Sequence, residues 1–198
     1  FLAYNDTVRA TVNVTKIGSG SFGLTGGDST STGIFTINGG AVTYSGTANT
    51  AFTSNVVNRT GSLILDNTVT NVNNRLGGLL KGLTIAGGEF KILGNASGSS
   101  ESLNALTIGS GGGLLTVVPG AGSTTVNFAS IPALTTSGTS LVIRGTNLGS
   151  APGAGVANVF VSGTVVSAGG AAIPGLATRS IRADVLADTS ATGTGASF

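Results

Sequence analysis

The 198-residue chain contains no cysteine, histidine, methionine or tryptophan. Without cysteine no disulfide can close it and no thiolate chemistry is open to it. Losing Cys and His together removes the ligands that zinc, copper and most redox metals prefer, and the side chain that most often moves protons near neutral pH. Charge is scarce as well: nine Lys and Arg and seven Asp and Glu make up 8% of the residues, against about a quarter in ordinary soluble domains. The net charge of +2 reads as basic, but scattered cations cannot form the clustered stripe that neutralises phosphates, so nucleic acid is not an expected partner. No apolar run reaches the roughly 18 residues of a membrane helix, so membrane insertion is not expected either. Phe1 to Asp6 lacks the basic opening of a secretory signal and the chain does not begin with Met. It reads as a processed or excised part of a longer exported polypeptide.

What is present is 40% apolar residues, enough to fill a core, and 34 glycines among abundant Ser, Thr, Ala, Val and Asn. The surface must then be mostly hydroxyl and amide, wetted by neutral hydrogen bonds and lacking the self-repulsion that keeps charged proteins apart. The segment from Phe35 to Gly46, FTINGGAVTYSG, returns from Leu83 to Gly94 as LTIAGGEFKILG. Each copy is a short alternating strand, a glycine pair and a second strand. Strand-like runs bounded by Gly, Asn or Ser continue along the chain. Comparable strands at Val12, Thr36, Leu63, Thr84, Thr107, Thr125, Leu141 and Val159 recur at uneven intervals, all of them longer than the roughly 8 to 12 positions expected of a sandwich.

The expected fold is therefore all-β, a right-handed parallel β-helix, with a β-sandwich as the alternative. About eight or nine coils at roughly 4.8 Å each give a rod of about 40 Å. Inward Val, Ile, Leu and Phe should stack on their counterparts one coil away, and Gly and Asn should occupy the corners. The expected core is Ile37, Val42, Leu63, Leu65, Leu83, Ile85, Phe90, Ile92, Leu106, Ile108, Leu115, Val117, Val126, Phe128, Leu141, Ile143, Val159 and Val161. Residues 1–167 form the β-helical repeat region. Residues 168–198 form a less regular C-terminal segment that continues into a longer chain or a neighbouring subunit, with a short helix expected over Arg179 to Asp188. Neither end carries a polar or helical lid, and an uncapped stack exposes strand edges.

Few motifs carry chemistry. Gly18-Ser19-Gly20-Ser21-Phe22-Gly23 fits G-x-G-x-x-G after a strand, but turn residues follow where a dinucleotide site needs a helix, and a kinase needs a histidine in its catalytic loop. The stretch is expected to be a glycine-rich corner. Gly26-Gly27-Asp28 and the Asn-rich run from Asn67 to Asn74 hint at calcium, yet a site needs several carboxylates and only one Asp follows a Gly pair. Glu89 and Lys91 share one strand face, and Asp66 and Arg75 flank a turn. Their expected role is in surface ion pairs, a glycan-cleaving pair of carboxylates being the competing use. Four Asn-x-Ser/Thr sequons begin at Asn5, Asn13, Asn58 and Asn95, as expected by composition. Tyr4, Tyr44 and the phenylalanines form no stacking array and are expected in the core. No catalytic, cofactor-binding or metal-ligating residue is assigned, no cofactor is implied, and the chain is not read as an enzyme.

From Asn58 onward, the words NRTGSLILDN (Asn58 to Asn67), NRLG (Asn74 to Gly77), LTIAGG (Leu83 to Gly88), LGNASGSSE (Leu93 to Glu101), VPGAG (Val118 to Gly122), RGTNLG (Arg144 to Gly149) and ADTSATGTG (Ala187 to Gly195) succeed one another in order. This succession, which spans the greater part of the chain, resembles the autotransporter-associated β-strand repeat proteins of bacteria. The resemblance implies a segment of a very large, exported, extracellular or cell-surface β-helical protein with a structural or adhesive task. The family pattern holds no catalytic residues, and none is carried over. The expectation is a structural module of an extracellular bacterial filament or adhesin, self-associating through open β-strand edges as a homopolymer or as tandem repeats, with extracellular glycan or matrix as a further contact. The alternative is a glycan-binding or polysaccharide-active β-helix, which would gather Asp66, Glu89, Lys91 or Glu101 in one groove.

Overall fold

A computed structural model describes residues 2–4, 13–26, 32–132, 139–163 and 184–195. The described residues contain no helix and fifteen strands. These are β1 (Leu2–Tyr4), β2 (Val14–Lys16), β3 (Ser21–Leu24), β4 (Ile34–Ile37), β5 (Gly40–Tyr44), β6 (Ser54–Asn58), β7 (Gly61–Asp66) and β8 (Gly82–Ala86), followed by β9 (Glu89–Leu93), β10 (Ser99–Ile108), β11 (Gly113–Val118), β12 (Thr124–Ser130), β13 (Leu141–Gly145), β14 (Ala157–Val161) and β15 (Val185–Asp188). Each strand pairs in parallel with the one two places later, so odd strands form an eight-stranded sheet and even strands a seven-stranded one. Parallel neighbours with one intervening strand in the opposite sheet define a parallel β-helix, and this pairing excludes the sandwich alternative.

The repeated segment recurs after two coils of this helix. Phe35 pairs with Asn55 and Asn55 with Leu83, while Val42 pairs with Leu63 and Leu63 with Phe90. Coil length varies, because the step from Phe35 to Asn55 is followed by a longer one to Leu83, which takes in the connection from 67 to 81. The uneven sequence intervals arise because they mix the two sheets; Thr84 and Thr107 are true partners, whereas Thr36 and Leu63 lie on different sheets. Eight strands at about 4.8 Å span roughly 34 Å between the outer two.

Alternation places the core where the pattern put it. Sixteen of the eighteen expected core residues are buried, from Ile37, Val42 and Leu63 through to Leu141 and Ile143. Val159 and Val161 are only partly covered, because β14 has a strand on one side alone among the described residues. The segment expected to turn helical is corrected: Val185–Asp188 is a strand paired with Leu141 to Arg144, its alternating Val-Leu-Ala-Asp fitting the ladder. Residues 179–183 of that expected helix lie outside the described residues.

The two sheets meet at tight corners made by glycine. Gly40 has φ +65°, and a Cβ there would stand 2.2 Å from the Gly20 carbonyl oxygen. Any side chain would force neighbouring coils apart, and the left-handed conformation adds strain of its own. At the next corner Thr60 takes φ +65° instead, a strained choice for a β-branched residue.

The stacked columns carry the stability. Phe90 is fully buried between Leu63 and Leu115 in one column. Phe90→Ala is expected to cost about 3–5 kcal/mol, measured by denaturant unfolding. Lys91→Ala on the outer face of the same strand should change stability by less than about 0.5 kcal/mol.

Candidate functional site

The connection from 67 to 81 is the longest described loop and holds the most unusual side chain, a completely buried arginine. Arg75 lies where three layers of chain meet. Its Nε donates to Asn67 Oδ1 at 2.5 Å, its Nη1 to the Ala48 carbonyl, and its Nη2 to the carbonyls of Gly46 (2.8 Å), Thr70 (2.9 Å) and Asp66 (3.2 Å). Irregular connections cannot pair their own carbonyls in a ladder, and a planar five-donor group satisfies several at once. Burial lowers the Arg75 pKa, opposed by the charges of Asp66 and Glu101.

Glu101, on β10, is buried against this loop. Its Oε1 accepts the Leu76 N–H at 3.1 Å and its Oε2 has no partner. Desolvation pushes its pKa up to about 8, although the backbone N–H groups of Leu76 and Arg75 and the Arg75 charge pull the other way. Burial thus favours the protonated carboxyl, and the hydrogen bonds of the arginine go chiefly to neutral carbonyls. Burial likewise pushes the Tyr44 hydroxyl up.

The Asn-rich run, too poor in carboxylates to be read as a calcium site, serves the connection itself. Asn71 Nδ2 donates to the Gly98 carbonyl at 2.6 Å, Asn73 Oδ1 accepts from Ser100 N at 2.8 Å and Asn74 Oδ1 accepts from Ser102 N at 2.9 Å. In return Asn95 Nδ2 donates to the Asn67 carbonyl at 2.7 Å. The side chains replace ladder bonds where the backbone departs from strand geometry. No group of three or more acidic residues able to hold a metal ion occurs among the described residues; Gly27 and Asp28 of the other calcium hint lie outside them.

The remaining expected groups are dispersed. Asp66 Oδ1 accepts from the N–H (3.0 Å) and hydroxyl (2.6 Å) of Thr68, closing a turn. Its expected ion pair with Arg75 is corrected: the guanidinium reaches the Asp66 backbone carbonyl instead. Glu89 pairs with Arg144 at 3.5 Å and accepts from Thr116 Oγ1 at 2.6 Å on the outer face of the eight-stranded sheet, where Lys91 also lies. Glu101 points inside the helix, away from that face. Asp66, Glu89, Lys91 and Glu101 therefore do not converge in one groove. The G-x-G-x-x-G words form a corner leading into β3. A shallow cavity of about 300 Å³ there is lined by Gly18, Ser19, Asn38, Gly39, Gly40 and Thr60. Lys16 Nζ donates to the carbonyls of Gly18 (2.7 Å), Gly39 (2.8 Å) and Ile17 (3.1 Å) at this corner.

Among the sequons, Asn13 Oδ1 accepts from Ile34 N at 2.9 Å. The Asn58 amide nitrogen donates to Asn38 Oδ1 at 2.6 Å, and that of Asn95 is spent on Asn67 and Thr68 carbonyls. Asn5 lies outside the described residues. No protein family, curated protein or solved structure matches the chain.

Two outcomes follow from the buried pair. Arg75→Met leaves at least four carbonyls without a donor and is expected to cost about 3 kcal/mol or more, with Arg75→Lys recovering only a fraction because a point charge reaches fewer acceptors; chemical denaturation of the three proteins checks both. For Glu101 the folded pKa of about 8 stands above the ordinary 4.5, so the folded state keeps a proton that the unfolded chain has lost. Its favourable contribution is complete below pH 4.5 and fades as pH rises through 8. Melting temperature should therefore fall with rising pH across that window, and Glu101→Gln should flatten the dependence.

Proposed function

We propose that the chain is a structural module of an extracellular bacterial filament or cell-surface adhesin, joining copies of itself through strand edges left open at the two ends of the β-helix. One observation carries this reading. Among the described residues β1 and β2 at one end, and β14 and β15 at the other, have a strand neighbour on one side alone. Interior residues of those end strands, Val14 at one end and Val159, Val161, Val185 and Ala187 at the other, are only partly covered.

Because every pairing is parallel, the two ends are related by translation along one axis. The row of N–H and C=O groups on one end strand meets its complement on the opposite end of a second copy. Such a contact is heterologous and does not close, so it yields a filament in place of a ring. Tandem repeats within one polypeptide would use the same junction. The ordered likeness to autotransporter-associated β-strand repeat proteins supports the bacterial cell-surface setting, and a neutral Ser, Thr and Asn exterior suits contact with matrix or glycan. Nothing in the dispersal of Asp66, Glu89, Lys91 and Glu101 supports the polysaccharide-cleaving alternative.

The test is at the end strand. Leu141 N donates to the Asp184 carbonyl at 2.8 Å, and in a parallel ladder this alternation turns the N–H groups of Val185 and Ala187 to the open side. Ala187→Pro deletes one of those donors while leaving the pairing with β13 intact. The wild-type chain is expected to form elongated, concentration-dependent species by sedimentation velocity and electron microscopy, and the variant to remain shorter with an unchanged β signal by circular dichroism. A wild-type chain that stays a compact monomer at its solubility limit would sink the proposal.

A further inference from the structure

The two outer faces of the β-helix differ sharply in charge. The eight-stranded sheet carries Glu89, Lys91, Arg144 and Asp188 on β9, β13 and β15. The seven-stranded sheet presents a central outward column of Thr15, Thr36, Val56, Thr84 and Thr107, kept in register by four successive parallel pairings. Ser54 and Gly82 flank this column on one side and Asn58 and Ala86 on the other. No charged or aromatic side chain points outward from β4, β6 or β8.

The threonines on the two faces are also used differently. Thr116, on the charged face, donates to Glu89 and accepts from Arg144 Nε at 3.1 Å. Among the described residues, none of the hydroxyls of Thr15, Thr36, Thr84 and Thr107 has a protein partner. Both lysines at the borders of the neutral face are drawn back onto backbone carbonyls, Lys16 onto those of Ile17, Gly18 and Gly39 and Lys81 onto that of Ala51 at 2.7 Å. Strands β4, β6 and β8 of the face carry no charge and its threonine hydroxyls are left open, while one exposed cation, Arg59, stands at the corner just past Asn58.

We propose that this face is an ice-binding surface whose ligand is the ordered water of a crystal plane. Rows about 4.8 Å apart along the axis make one column of hydroxyl and methyl groups, and the outward residues roughly 6.7 Å to either side along the strands, Ile34, Ser54 and Gly82 on one flank and Asn58 and Ala86 on the other, are small or neutral. The β-branched side chains hold their rotamers stiffly and the ladder fixes their spacing, so the array is ordered before anything binds. Charge selects the occupant. An ionic ligand meets no countercharge on β4, β6 or β8 and a sugar ring no aromatic platform there, the exposed Arg59 lying past the end of β6 and the exposed Phe160 away on β14. A neutral lattice of water offers a donor and an acceptor to each hydroxyl and hollows for the methyl groups. Each contact is weak, and many made at once on a rigid frame add to a firm hold that mobile liquid water does not match. Val56 preserves the methyl pattern in the row while dropping one hydroxyl.

The experiment is ice recrystallisation inhibition and thermal hysteresis with the purified chain. The wild type is expected to arrest grain growth and facet ice crystals. Thr84→Lys, mid-row, and Thr107→Lys, at an exposed rung, should each raise the concentration required by about tenfold or more. Ser62→Lys, on the opposite face, should leave it unchanged, with circular dichroism confirming that all three variants fold. The proposal is overturned if the wild type neither slows grain growth nor shapes crystals, if S62K loses as much as T84K, or if the neutral face instead captures crystalline cellulose or a second copy of the chain. Self-association through the helix ends is read separately by A187P, so failure of either idea leaves the other standing.

Discussion

In-register stacking is the constraint on which the rest of this molecule depends. A strand residue points either in or out, and its partner one coil away must point the same way. The columns Val42–Leu63–Phe90–Leu115–Ile143 and Tyr44–Leu65–Ile92–Val117 show how strictly this is kept, since each member is buried. A one-residue slip anywhere would turn Lys91 or Glu89 inward and Phe90 outward. Corner glycines let the coils approach closely enough to keep that register: a Cβ on Gly40 would stand 2.2 Å from the Gly20 carbonyl oxygen.

Stacking alone does not satisfy the connections. Where the chain leaves strand geometry between 67 and 81, the carbonyls of Gly46, Ala48, Asp66 and Thr70 are turned toward one point, and the Arg75 guanidinium fills it. Burying a cation is costly unless its donors are met, and here each nitrogen finds an oxygen. Glu101 is the buried carboxyl beside it, with its pKa pushed up by desolvation. One oxygen accepts from Leu76 N, the other has no partner, and burial favours the protonated form; the Arg75 side chain hydrogen-bonds carbonyls and the Asn67 side chain, not this carboxyl. The asparagines around it extend the same solution, with side-chain amides taking the place of missing backbone partners.

Much of this architecture is legible in the chain before folding is considered. Two strands around a glycine pair, present from Phe35 and again from Leu83, can bury one face only by stacking, and the alternation of Leu63, Leu65, Phe90 and Ile92 marks the buried side. The coil count is close for the same reason. What stays hidden are features without local period. Arg75 reads as a surface cation because its acceptors follow no local period: Thr70, Asn67 and Asp66 lie 5, 8 and 9 residues away, and Ala48 and Gly46 lie 27 and 29. Glu101 looks like one more exposed carboxylate because its surroundings belong to the previous coil. The helix expected near Arg179 arose from clustered charges, whereas Val185–Asp188 obeys the ladder set by β13. The signal that would have found Arg75 is the Asn-rich run beside it, which marks a connection unable to pair its own backbone.

The scarcity of charge ties these features together. A chain with 8% charged residues cannot stay dispersed through net repulsion, and it spends several of its few charges internally: Arg75 on buried carbonyls, Lys16 and Lys81 on corner carbonyls, Glu89 and Arg144 on each other. What the outer faces of the interior strands present is largely a repeating pattern of hydroxyls, amides and methyls, and the most exposed large apolar residues, Val69 and Leu80, lie in the connections. A surface of that kind has little means of selecting a small ionic substrate, which calls for a few convergent groups in a cleft. It is well suited to recognising something that itself repeats, because a mismatch at one rung recurs at every rung and a match does too. Function in this molecule is therefore sought along its length and at its ends, where among the described residues the outermost strands have a neighbour on one side alone.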